Sequence, residues 1–185
     1  TQATIEEARR YYQEIGRENV MIKIPGTSAG LPAVEQVIAD GINVNVTLLF
    51  SVDSYVNCFW AYIKGLEKRA AEGKDISNIA SVASFFLSRI DSNIDARIDN
   101  KLKAGVESIN VEAKLRAVKG KIAIANAKIA YQKYKEIVQS DRWQALAEKG
   151  AKVQRLLWAS TGTKNPEYSD VMYVDELVGP DTVNT

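Results

Sequence analysis

A chain of 185 residues, 46% hydrophobic and 25% charged, is expected to form one soluble domain with a sizeable core. Its net charge of +1 argues against nucleic acid or a membrane surface as partner, and no apolar run resembles a signal peptide or a bilayer span. Histidine is absent and Cys58 is the single cysteine, which excludes Ser-His-Asp and Cys-His catalysis and an internal disulfide and argues against a zinc site. Cys58 lies in an apolar helical pattern, reads as core, and fits a reducing cytoplasm. Acid–base work is left to carboxylates, lysine, tyrosine or water.

Helical spacing of Ile5, Ala8, Tyr12 and Ile15 predicts a helix over Thr4 to Gly16. The stretch from Asn19, N-V-M-I-K-I-P-G-T-S, then reads as a strand buried on both faces. Alternation places Met21, Lys23 and Pro25 on one face and Val20, Ile22 and Ile24 on the other. A lysine in such a run has two explanations. It snorkels to water near a strand end, or burial lowers its pKa and leaves the free nucleophilic amine that Schiff-base chemistry needs.

Pro25-Gly26 ends this strand, Thr27 or Ser28 can cap a second helix, and Leu31, Val34, Val37 and Ile38 mark that helix's buried side. Gly41 to Ser51 alternates cleanly. Asn43, Asn45, Thr47, Leu49 and Ser51 share one face, and Ile42, Val44, Val46, Leu48 and Phe50 share the other. Either the polar face is simply wet, or helices cover the apolar face and Asn45 and Thr47 line a barrel interior where a ligand helps satisfy them.

Ser51 to Glu72 is an amphipathic helix with Tyr55, Phe59, Ile63 and Leu66 in its stripe. A third strand covers about Ile79 to Phe86 and leads into Leu87-Ser88-Arg89-Ile90-Asp91. Asn93 to Lys119 reads as a surface helix and loop, Lys121 to Val138 as a helix, and Trp143 to Lys149 as a short helix capped by Ser140. Lys152 to Ser160 is a fourth strand. It runs into Thr161-Gly162-Thr163-Lys164-Asn165-Pro166, whose hydroxyls, glycine and cation suit a phosphate, although a loop lysine can equally be just solvated. A helix at about Ser169 to Leu177 and a fifth strand from Asp181 complete an alternation that implies an α/β domain with a parallel sheet.

Five segments, V-M-I-K-I-P-G-T, G-I-N-V-N-V-T-L-L-F-S, V-A-S-F-F-L-S-R-I-D, L-L-W-A-S-T-G-T-K-N-P and P-D-T-V-N-T, span nearly the whole chain and closely resemble the Schiff-base-forming transaldolases. The resemblance implies a (β/α)8 TIM barrel. Residues 1–185 would be part of that single domain, supplying about its fourth to eighth strands, with the first three strands and the last helix outside them. It implies a transaldolase of the pentose phosphate pathway that moves a dihydroxyacetone unit from a ketose phosphate to an aldose phosphate. Sugar phosphates would be its partners, a homodimer is compatible with it, and no metal or other cofactor is called for.

By the same resemblance Lys23 forms the Schiff base, Thr47 helps hold the water used in proton transfer, and Asn45 bonds a substrate hydroxyl. Ser84 contacts the dihydroxyacetone unit, Arg89 binds phosphate, and Ser160 is a second phosphate contact. Some members carry an arginine two residues after that serine; this chain has Gly162 there, and Lys164 is expected to supply the second cation. The family's acid–base glutamate and helper aspartate fall before Thr1, and Asp53, Asp91 and Asp181 read as caps and loop residues. The alternatives are a related Schiff-base aldolase that releases its three-carbon unit free, or a segment that is inactive alone.

Overall fold

A computed structural model describes Thr1–Thr185. Five strands, β1 (Ile22–Pro25), β2 (Val44–Leu49), β3 (Ser81–Phe86), β4 (Arg155–Ala159) and β5 (Thr182–Asn184), lie side by side in chain order, every pair parallel. Parallel neighbours need crossover connections, and helices provide them. The helices are α1 (Gln2–Ile15), α2 (Leu31–Ala39), α3 (Val52–Ala71), α4 (Ser88–Ala104), α5 (Ile109–Val118), α6 (Ile122–Val138), α7 (Asp141–Ala147) and α8 (Met172–Leu177). The expected α/β alternation is therefore present, as a sheet with β1 and β5 at its edges.

The two faces of the sheet differ. On one, Ile24, Val44, Val46, Ala83, Phe85, Leu156 and Trp158 merge with Val34, Ile38, Tyr55, Phe59 and Ala127 of the helices into a single core. On the other, Val82, Leu157 and Ala159 form a small separate patch bordered by Met21, Phe86 and Val183, to which no helix contributes. Cys58 belongs to the helix-side core as expected. Its Sγ lies 3.5 Å from Gln154 Oε1, and burial pushes the thiol well above its ordinary pKa.

Local signals behave as their chemistry dictates along α3. Ser51 accepts a hydrogen bond from the Ser54 N–H at 3.2 Å, Asp53 sits in the first turn, and Lys68 and Arg69 sit in the last, each favourable to the helix dipole. Elsewhere the structure corrects the sequence. β1 starts at Ile22 rather than Asn19 and includes Pro25. The second helix is not capped by Thr27 or Ser28: it begins at Leu31, and Thr27 instead closes the preceding turn, its Oγ1 accepting from the Gly30 N–H at 3.1 Å. Asn93 to Lys119 is two helices rather than one, and the first starts at Ser88, directly after β3.

The most consequential correction is in β2. Its register against β3 slips between Val46 and Leu49, and Leu48 takes a left-handed φ of 62°. The extra residue reverses the alternation. Leu49, expected on the polar face, is fully buried in the helix-side core, while Leu48, expected in the core, is 43% exposed.

Candidate active site

The helix-free face collects the polar side chains that the sequence singled out. Lys23 in β1 pairs in register with Asn45 in β2, which pairs with Val82 in β3, so the lysine and the amide are cross-strand neighbours. Ser84, one alternation further along β3, donates its Oγ hydrogen to Asn45 Oδ1 at 2.7 Å. Thr47 pairs with Pro25; its hydroxyl is buried and has no hydrogen-bond partner. A buried hydroxyl without a partner is unfavourable, so this one is poised to take a bond from water or ligand.

Lys23 itself is exposed. The sequence expectation of a strand buried on both faces is corrected, and of the two readings left open for its lysine the exposed one holds among these residues, for a physical reason: β1 is an edge strand, and nothing among these residues covers the helix-free side of it. Ile24, on the opposite side of the strand, is fully buried.

A second group forms where β3 and β4 end. The Leu87 N–H donates to the Ala159 carbonyl at 3.0 Å and the Ser88 N–H to the Ser160 carbonyl at 3.1 Å, while the Ser88 and Ser160 hydroxyls lie 2.7 Å apart. These bonds staple the end of β4 to the start of α4 and hold Ser160 against Ser88, the residue before Arg89. Ser160 leaves its strand with a left-handed φ of 57°, a conformation that serine adopts only when its surroundings enforce it. Arg89 is exposed in the first turn of α4, its guanidinium 5.4 Å from the centre of the Phe86 ring, which in turn packs at 5.2 Å on Phe50. An arginine, a hydroxyl and the positive end of a helix of 17 residues form a chemically apt anion site.

Lys164 is exposed and lines a cleft of about 320 Å³ with Asp91, Asp95 and Asp99 of α4, a lining that does not include Arg89. The cleft it lines is thus rich in carboxylates, which weakens its positive field elsewhere. Of the other loop hydroxyls, Thr161 is committed to the Thr185 carbonyl. Asp53 in the α3 first turn and Asp181, at a left-handed φ of 58°, are the cap and loop residues expected. Asp91 is 1% exposed in the first turn of α4, and its carboxylate caps another helix, accepting from the Ala123 N–H at the start of α6 and from the Tyr173 hydroxyl. The sequence also missed Ser88 and Phe86, whose one signal was adjacency to Arg89 at a strand-to-helix junction.

Comparison with known proteins fits this layout. The family model for transaldolase/fructose-6-phosphate aldolase matches residues 1–185. The chain belongs to that family. It is 82% identical to transaldolase 2 of Nostoc sp., 78% identical to transaldolase 2 of Nostoc punctiforme, and 75% identical to a transaldolase of Trichodesmium erythraeum. In each case all of this chain is matched, against 49%, 49% and 48% of the relative. The chain therefore spans about half the length of these curated transaldolases. Membership in the transaldolase family makes the five parallel strands consecutive members of a TIM barrel, whose chemistry is set at the carboxyl ends of the strands. Arg89 and Ser160 lie just beyond such ends, and Thr47 two residues short of one. No helix is long and apolar enough to cross a membrane.

Proposed function

We propose that this chain carries the Schiff-base half of a transaldolase, with Lys23 as the nucleophile and Arg89 as the main phosphate contact. The observation that supports this most strongly is the juxtaposition, on the one face no helix covers, of Lys23, the Asn45–Ser84 pair and the unpartnered Thr47 hydroxyl.

In this mechanism the Lys23 amine adds to the C2 carbonyl of a ketose phosphate such as fructose 6-phosphate or sedoheptulose 7-phosphate. Loss of water gives an iminium, the electron sink for cleavage of the C3–C4 bond. The C4 hydroxyl proton passes to a base, by family resemblance a glutamate ahead of Thr1, and an aldose phosphate leaves. The remaining enamine of dihydroxyacetone adds to the carbonyl of a second aldose phosphate, glyceraldehyde 3-phosphate or erythrose 4-phosphate. Water then releases the new ketose and restores the amine. Asn45 and Ser84 hold hydroxyls of the three-carbon unit, and Thr47 holds the water that moves the proton. Arg89, Ser160 and, more weakly, Lys164 grip the phosphate. A lysine acts as a nucleophile once desolvated, and closure of a barrel over the open side of β1 supplies that desolvation. The pathway context is the pentose phosphate pathway, the compartment the cytoplasm.

In the full-length protein, borohydride reduction in the presence of fructose 6-phosphate should fix a three-carbon adduct on Lys23. Lys23→Ala should abolish trapping with unchanged thermal unfolding; an adduct on another lysine would overturn the assignment. Product release that requires an added acceptor aldose phosphate marks transfer. Free three-carbon product without one marks the aldolase alternative.

A further inference from the structure

Asp91, Asp95 and Asp99 recur every fourth residue and so share one side of α4. Like charges in such a row repel, and Asp91 and Asp95 are only 1% and 8% exposed. Each buried carboxylate is satisfied by neutral donors drawn from two distant stretches. Asp91 accepts from the Ala123 N–H at 2.9 Å and from the Tyr173 hydroxyl at 2.7 Å. Asp95 accepts from the Gly120 N–H at 3.1 Å and from the Tyr168 hydroxyl at 2.6 Å. Asp99 pairs with Lys119 at 2.6 Å.

One set of donors belongs to the turn between α5 and α6 and the first turn of α6, the other to the connection from β4 to β5. They also touch each other. Gly120 has a left-handed φ of 68°, and a Cβ there would come within 2.8 Å of the Tyr168 ring, so the turn closes on the tyrosine only as glycine. Apolar packing would join these segments with less desolvation. What short bonds from phenols to carboxylates add is fixed distance and direction. The connection they fix starts at Ser160 and contains Lys164, and the helix they fix it to carries Arg89 two residues before Asp91.

We infer that Asp91 and Asp95 are positioning residues that act through Tyr173 and Tyr168 to hold the β4–β5 connection against α4, and so keep Ser160 in register with Arg89 around the substrate phosphate. This rests on the phosphate role proposed above for Arg89 and Ser160. Neither aspartate touches substrate.

The test measures borohydride trapping in the full-length protein as a function of donor concentration, with fructose 6-phosphate and, separately, free dihydroxyacetone. Tyr168→Phe should raise the half-saturating concentration of the ketose phosphate about three- to tenfold, the range expected for one lost hydrogen bond. Its maximal trapping, and the whole dihydroxyacetone curve, should not move. Asp95→Ala should do the same, and Asp95→Asn should restore near-normal behaviour, because an amide still accepts from Gly120 and can donate to the tyrosine oxygen. Unchanged ketose phosphate binding in folded Tyr168→Phe, or equal weakening of both donors, overturns the inference. Arg89→Ala is run in parallel. If it discriminates between the donors and Tyr168→Phe does not, the clamp falls and the phosphate role stands; if it does not discriminate, both fall.

Discussion

The two faces of one sheet hold the same backbone to different rules. On the helix side the strand positions are mostly chosen for volume, and Ile24, Val44, Val46, Leu49, Ala83, Phe85, Leu156 and Trp158 vanish into a single core. On the other side the strands carry Lys23, Asn45, Thr47 and Ser84, with only Val82, Leu157 and Ala159 as a modest apolar floor. The first face determines whether the chain folds, the second what it can do once folded. A substitution should therefore affect stability or chemistry according to the face it occupies, and only secondarily according to its residue type.

The largest expected contrast sets Lys23→Ala, which removes all adduct formation without touching the core, against Leu49→Ala. Leu49 is fully buried, and its truncation should destabilise the protein by about 2–5 kcal/mol in chemical denaturation. Leu48→Gly, one residue away, should be neutral or stabilising by a few tenths to about 1 kcal/mol, since glycine adopts the left-handed φ freely and little packing is lost. Equal losses at Leu48 and Leu49 would show that β2 has no bulge. A smaller contrast lies at the strand ends. Arg89→Ala should weaken ketose phosphate binding by about 1.5–3 kcal/mol, the scale of a charge-assisted hydrogen bond. Lys164→Ala should weaken it by less, about 1 kcal/mol or under, because its field is shared with the aspartates of α4. Reversed magnitudes would make Lys164 the principal phosphate cation.

The pattern of what was legible follows the same division. Helix α3 and the alternation of strands with helices could be read from periodicity, because hydrophobic spacing reports directly on burial. The polar set of β2 was legible for the same reason in negative: Asn45 and Thr47 stand out against an apolar alternation. That alternation failed at Leu48 and Leu49, where two leucines give no hint of which one enters the core; the slip is set by pairing with β3, a non-local contact. Asp91 was legible as a cap or loop residue, but not as a buried carboxylate that bonds two distant stretches. Its partners, Ala123 and Tyr173, lie 32 and 82 residues away and carry no mark of the meeting in their local sequence. The exposure of Lys23 likewise depends on which elements stand next to β1, which no property of the strand itself reveals.

The finest test of the comparison uses two hydroxyls in the same physical state on opposite faces. Thr47 Oγ1 and Tyr55 Oη are both buried without a hydrogen-bond partner. Tyr55 sits in the helix-side core against Phe59 and Phe85, where no polar ligand arrives, so its hydroxyl contributes desolvation and nothing else. Tyr55→Phe should stabilise the protein by about 1 kcal/mol and leave adduct formation and turnover unchanged. Burial also holds this phenol protonated well above its ordinary pKa. The unfolded chain ionises it near pH 10, so its share of stability is intact below about pH 10 and is lost as pH rises beyond. The phenylalanine variant should therefore lose stability less steeply in alkali. Thr47→Val removes the other orphan with equal geometric economy. It too should be at least as stable as the parent, yet its turnover should fall while borohydride trapping on Lys23 persists, since the water that shuttles the proton has lost its anchor. If Thr47→Val keeps full turnover, its hydroxyl is as silent as that of Tyr55, and the division of labour between the two faces stops short of β2.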